Sequence, residues 1–247
     1  MEKVSVTDFP DGTTLIAINR PEKRNAICAT TAIELQQAFA AFDATDSQRV
    51  AVVTGTGDAA FSGGADLTNI PELWRCIPTV GITTEKPVIA AVGGHCVGGA
   101  LVLVMMCDLL VAADNAKFSY PEAAVGFTGG MIAGLAARIP HKVAMEMILL
   151  CKTLDAQRAY HVGLANEIVP TGQQVKRALA MAREIATFSP LVLRTLKRFV
   201  NEGVLPQGPS ERMARANRDL AIVRDSADAE ESLRAFKEKR RPSFQGR

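Results

Sequence analysis

Three short segments of the chain combine residue types and spacings that can do chemistry. The first is Phe118-Ser119-Tyr120-Pro121-Glu122-Ala123-Ala124-Val125-Gly126, which sets a carboxylate among small apolar neighbours. Withdrawal from water disfavours the ionised form, so the pKa of Glu122 is expected to rise and to suit proton transfer. A glutamate placed at a helix start for the helix dipole would give the same sequence. The other two segments are Ser62-Gly63-Gly64-Ala65-Asp66-Leu67 and Gly94-His95-Cys96-Val97-Gly98-Gly99. Glycine lets a backbone approach a ligand closely, and the first turn of a helix leaves N–H groups unpaired. Two such N–H groups from adjacent loops could converge on one oxygen and stabilise a thioester enolate. As plain strand-to-helix turns, the same glycines would need no ligand.

The elements that must position these segments follow from periodicity. Residues 4–8 and 15–19 predict two strands joined by the Pro10-Asp11-Gly12 turn. Thr30 is expected to cap a helix running to about Ala44, with Ile33, Leu35, Ala38, Phe39 and Phe42 near helical spacing. Residues 50–54 and 87–92 are short continuous apolar runs, the kind buried in a parallel sheet. A glycine-rich loop, 55–64, follows the first run, and 71–76 predicts a short helix. The apolar stretch 88–113 is long enough to suggest a membrane span. His95, Asp108 and glycines 93, 94, 98 and 99 instead divide it into strand, loop, helix 99–106 and strand 109–113. An extended piece at 117–119 comes next. From Lys142 onward the pattern predicts helices at 142–150, 155–162, 173–188, 190–202, 210–225 and 227–238, with one strand at 167–169. The fold class expected is α/β with an appended helical region.

Composition narrows the function classes. The 247 residues are 48% hydrophobic and 22% charged, which describes an ordered globular chain. Residues 1–170 carry a net charge of −5 and residues 171–247 a net +7. That split argues against a wholly basic nucleic-acid binder and leaves the C-terminal third able to meet an anion. The five cysteines form no C-x-x-C pair, and the three histidines form no metal-binding spacing, so neither a metal nor a redox cofactor is expected. With no apolar signal stretch at the start, a reduced cytoplasmic protein fits best. Gly55-x-Gly57-x-x-Ala60 after a strand has the outline of a dinucleotide fingerprint, but no helix begins there to face a pyrophosphate.

Together the motifs resemble the crotonase superfamily, the enoyl-CoA hydratase/isomerase family. The matching segments are Asn19-Arg20-Pro21-x-x-x-Asn25-Ala26, Ala60-Phe61-Ser62-Gly63-Gly64-Ala65-Asp66-Leu67, and Lys86-Pro87-Val88-Ile89-Ala90-Ala91-Val92-x-Gly94. Then follow Gly98-Gly99, Met106-Cys107-Asp108, Phe118-x-x-Pro121-Glu122-x-x-x-Gly126, Gly163-Leu164-Ala165 and the tail Ala235-Phe236-x-Glu238-Lys239-Arg240. The resemblance implies an α/β spiral of ββα units over residues 1–190 and a C-terminal helical trimerisation region over 191–247. It implies a homo-oligomer, a trimer or a dimer of trimers. The implied partner is an acyl-CoA thioester, with coenzyme A part of the substrate and no separate cofactor. Ala65 and Gly99 would supply the oxyanion N–H groups. Lys23, Arg24, Ala26, Asp66, Leu67 and Thr68 would lie along the coenzyme A site. Lys237, Lys239, Arg240 and Arg241 could approach a bound nucleotide.

One departure bears on the reaction. Hydratases of this family place a second glutamate three residues past the oxyanion glycine, on the same helix face. Here Val102 stands at that position, while Glu122 matches the other glutamate. A single carboxylate still suits a Δ3,Δ2-enoyl-CoA isomerase, which removes a proton from C2 and returns it at C4. A thioester decarboxylase, on coenzyme A or a carrier protein, and a non-catalytic acyl-CoA-binding homologue are the alternatives. Gly130, eight residues past Glu122, supplies no carboxylate and disfavours a dienoyl isomerase. Asp66 is a possible auxiliary acid or a loop-fixing residue, Tyr120 could border the pocket, and His95 and Cys96 are expected to pack.

Overall fold

The computed structural model describes residues 2–247. The chain opens with the hairpin β1 (Val4–Asp8) and β2 (Thr13–Ile18), then α1 (Ala29–Ala44) and β3 (Val50–Gly55). Next come β4 (Ala60–Ser62), a 3-10 turn at Leu73–Cys76, β5 (Val88–Val92), β6 (His95–Val97) and α2 (Gly99–Met105). They are followed by β7 (Leu109–Ala113), β8 (Lys117–Ser119), α3 (Glu122–Val125), a 3-10 stretch at Met131–Ala137, and α4 (His141–Leu150). The chain ends with β9 (Leu154–Asp155), α5 (Ala156–His161), β10 (Glu167–Val169), α6 (Gln174–Ala186), α7 (Pro190–Phe199), a π-helical turn at Val200–Val204, α8 (Pro209–Arg224) and α9 (Ala227–Glu238).

The strands form two sheets. One has the order β1-β2-β3-β5-β7-β10, and the other the order β4-β6-β8-β9. Three central strands of the first sheet run directly into short strands of the second: β3 into β4, β5 into β6, β7 into β8. A helical turn then returns the chain, so the ββα unit repeats as a spiral. The apolar runs are explained by burial on both faces of β3 and β5. Val50, Val52, Ile89 and Ala91 meet Ala178 and Ala182 of α6, while Ala51, Val53, Val88 and Ala90 face the main core. No helix of the described residues is long and apolar enough to cross a membrane.

Several boundaries depart from the sequence pattern for local reasons. Short strands β4 and β6 occupy what reads as loop, because three residues cannot show a period of two. Helix α1 is capped at Cys28, not Thr30; the Ala29 N–H donates to Asn69 Oδ1 at 3.2 Å, a partner remote in sequence. Helix α7 stops at Phe199 and widens into the π-helical turn.

Asn25 fastens the loops that frame the glycine-rich segments. It is buried and left-handed, with φ +54, a conformation that asparagine tolerates better than most residues. Its Oδ1 accepts the Arg20 N–H at 2.9 Å, and its Nδ2 donates to the Thr56 and Ala60 carbonyls at 2.9 Å each. Replacement by alanine strands all three backbone groups. Asn25→Ala should lower unfolding stability by about 3 kcal/mol in urea titration.

Candidate active site

Two backbone amides form the first part of the site. After β4, Gly64 adopts φ +87, and a Cβ there would lie 2.6 Å from the Val97 carbonyl oxygen and 3.5 Å from the Gly99 nitrogen. Only glycine lets the two loops come this close. The Ile27 N–H donates to the Gly64 carbonyl at 2.8 Å, and the Asp66 N–H donates to the Ile27 carbonyl at 2.8 Å. The Ala65 N–H between them is left over. Across the contact, Gly98 has φ +58 and donates to the Ser119 carbonyl at 2.9 Å. Gly99 then opens α2, where an N–H has no preceding turn to bond. Neither the Ala65 nor the Gly99 N–H donates within the described residues, and both residues line one cavity of about 330 Å³.

Glu122 completes the arrangement. A Cβ on Gly98 would come within 2.5 Å of Glu122 Oε1, so the carboxylate rests against the same turn that presents Gly99. Its Oε2 is buried with no hydrogen-bond partner. Burial pushes the carboxyl up to about 7, only partly offset by its own backbone amide. A weak base held beside two free amides can move a proton next to an oxyanion.

The cavity walls are mainly apolar, with Leu73, Val97, Val102, Met131 and Met213 among them. Val102 lies one turn beyond Gly99 and is 2% exposed, so hydrocarbon fills the place where a second carboxylate would stand. Glu72 also lines the cavity, but Arg75 holds it at 2.8 Å and Arg224 at 3.4 Å. Helix α8 contributes Ser210, Met213, Ala214 and Asn217. These residues carry no local motif, and no signal in the sequence could have placed them here.

The cavity brings together Ala65, Leu67, Gly99, Val102 and Glu122, and Tyr120 borders it as expected. Lys23, Arg24, Ala26, Asp66 and Thr68 lie outside it on adjoining loops. These loops are joined, since the Gly63 N–H donates to the Arg24 carbonyl at 2.8 Å. Lys23 and Arg24 are exposed. Asp66 fixes its loop. It accepts the Thr68 hydroxyl at 2.6 Å and the Arg20 guanidinium at 3.2 Å, which lower its pKa. His95 is exposed and does not pack, whereas Cys96 is fully buried. At the tail, Arg240 is tied to Glu231 and Glu238, which removes it from the set of free cations. Among the described residues no three His, Cys, Asp or Glu side chains gather as metal ligands.

A sequence model described as enoyl-CoA hydratase/isomerase matches residues 8–247. The chain belongs to the enoyl-CoA hydratase/isomerase family. Its crotonase fold is shared with solved structures along the whole length. Carnitinyl-CoA hydratase from Mycobacterium avium is 31% identical, with a TM-score of 0.78 and 100% of each chain covered. Enoyl-CoA hydratase from Mycobacterium tuberculosis H37Rv is 32% identical, with a TM-score of 0.77 and 100% of each chain covered. Carnitinyl-CoA dehydratase from Mycobacterium avium 104 is 33% identical, with a TM-score of 0.76 and again 100% of each chain covered.

The raised pKa of Glu122 has a thermodynamic consequence. Between its ordinary value of 4.5 and about 7, the folded state holds a proton that the unfolded state has lost. The contribution of Glu122 to stability is therefore greatest below pH 4.5 and falls as pH rises through this window. The stability of the wild-type protein relative to Glu122→Gln should decline from pH 4.5 to 7 and then level off, as read by urea titration at each pH.

Proposed function

We propose that this family member is a Δ3,Δ2-enoyl-CoA isomerase in which Glu122 carries the proton. The observation that supports this reading is the lone unpaired carboxylate in an apolar cavity, with Val102 one turn past the oxyanion glycine. The thioester carbonyl of a 3-enoyl substrate accepts the Ala65 and Gly99 N–H groups. The Glu122 carboxylate takes a proton from C2, and the electron pair moves onto the carbonyl oxygen as an enolate. The same carboxyl then gives its proton to C4 as the double bond settles between C2 and C3. No water is consumed, so no second carboxylate is needed to activate one.

A group titrating near 7 is well matched to this exchange, since it gives up and takes back the proton at comparable free energy. The same site can hold a 2-enoyl thioester, and the similar solved structures named above carry hydratase and dehydratase names. Hydration is therefore the competing reading. Exposed Leu191, Leu196 and Phe199 on α7 support assembly as a homo-oligomer, for which the family resemblance implies a trimer or a dimer of trimers.

The test supplies 3-enoyl-, 2-enoyl- and malonyl-type CoA thioesters and identifies the products by chromatography and mass spectrometry. Conversion of the 3-enoyl substrate is expected, with kcat/KM rising with pH through about 7 as Glu122 ionises. Glu122→Gln should lower the rate by about 10²–10⁴-fold. Full-rate conversion by that variant would overturn the mechanism. A product one water heavier, formed rapidly from the 2-enoyl substrate, would make the protein a hydratase, and loss of carbon dioxide from the malonyl type would make it a decarboxylase.

A further inference from the structure

Glu122 sits on a helix of four residues, Glu122–Val125, closed by Gly126 in the left-handed region with φ +72. One isolated turn is marginal in water, because nucleation fixes several dihedrals for few hydrogen bonds. The carboxylate does not anchor itself, since its Oε2 has no partner. The residues that follow add little stiffness. Gly126 and Gly129 have open space where a Cβ would be, and Phe127 and Thr128 are exposed. Helix α4 packs against the turn, but among the described residues no hydrogen bond joins it to the 120–128 segment.

We propose that the Tyr120 and Thr128 hydroxyls form a clasp that positions Glu122. The two residues bracket the turn, and their hydroxyl oxygens are 2.7 Å apart. Tyr120 is 5% exposed and leads directly out of β8, whose Ser119 carbonyl binds the Gly98 N–H. Thr128 Oγ1 also accepts the Gly130 N–H at 3.0 Å, which ties the clasp to the end of the glycine-rich loop. The turn thus becomes a closed loop with a rigid strand at one end. Val125, Phe127 and Gly129, all inside or next to this loop, line the cavity. Loss of the clasp frees the turn to swing and admits water to the carboxylate.

The clasp rests on Glu122 being the proton carrier. Phenylalanine at 120 and valine at 128 keep the shape of the side chains; the first removes only the hydroxyl pair, and the second also releases the Gly130 N–H. Tyr120→Phe and Thr128→Val should each lower kcat for the 3-enoyl substrate by about 10–100-fold, the scale of a misplaced reacting group. The Kd for a saturated acyl-CoA should stay within about twofold in each case, because the amides that grip the thioester are untouched. Thr128→Ser should retain activity. The double variant should be no worse than the weaker single one, as expected when both remove one interaction.

A second readout does not need turnover. Infrared difference spectra between each protein and its Glu122→Gln counterpart follow the Glu122 carboxyl band against pH. The midpoint should move down from about 7 in the clasp variants as water reaches the group. The other titratable residues lining the cavity are Tyr120 itself and Glu72, which Arg75 and Arg224 already hold. Helix α2 and the cavity-lining residues of α8 present no charge, and α4, which packs against the turn, carries His141, Lys142 and Glu146. Unchanged kcat and midpoint in both single variants would overturn the clasp, as would strictly additive losses. If no CoA thioester is turned over, the isomerase reading fails, and the infrared midpoint still decides the clasp.

Discussion

The contact between the two glycine-rich turns is the constraint on which the rest of the site depends. Gly64 and Gly98 hold backbone conformations that side chains resist, and each gives up a Cβ that would strike a neighbour. The first vacancy lets the Val97 carbonyl and the Gly99 amide approach the 63–66 loop. The second lets the Glu122 carboxylate lie on the turn. Two unpaired donors and one unpaired acceptor are thereby gathered at one end of a single apolar cavity. None of these three groups is satisfied within the fold, which is the arrangement expected where a ligand is to complete it.

The spiral supplies the rigidity that such unsatisfied groups require. β3, β5 and β7 are neighbours in one sheet, and each delivers its chain to the next strand of the second sheet. The two site loops therefore emerge side by side because their parent strands are paired. Asn25 then joins the Arg20, Thr56 and Ala60 backbones across the same edge. Preorganisation of this kind keeps donors aimed without reorganisation during reaction.

Much of this was legible in the sequence, for reasons that can be named. Continuous apolar runs at 50–54 and 88–92 announced buried parallel strands, and the glycine pairs after them announced close backbone approach. Glu122 stood out as a carboxylate set among small apolar residues. Short-range pattern failed where structure rests on remote partners. Cys28 caps α1 with help from Asn69, β4 and β6 exist only through pairing, and Asp66 is claimed by Arg20 from another loop. The outer cavity wall was invisible, since Met213 and Asn217 reach it from a helix that shares no local signal with the turns.

The two kinds of group in the site differ in how they can change over generations. The Ala65 and Gly99 donors belong to the main chain, so no codon removes them while the fold and its glycines persist. A carboxylate is a side chain and can be exchanged by altering one codon, and position 102 of this chain is a valine. A pair of main-chain donors is thus fixed by the architecture, whereas the side-chain acids and bases around it are open to revision. Divergence of reaction within such a scaffold needs no new pocket, only a different set of acids and bases facing the same pair of amides.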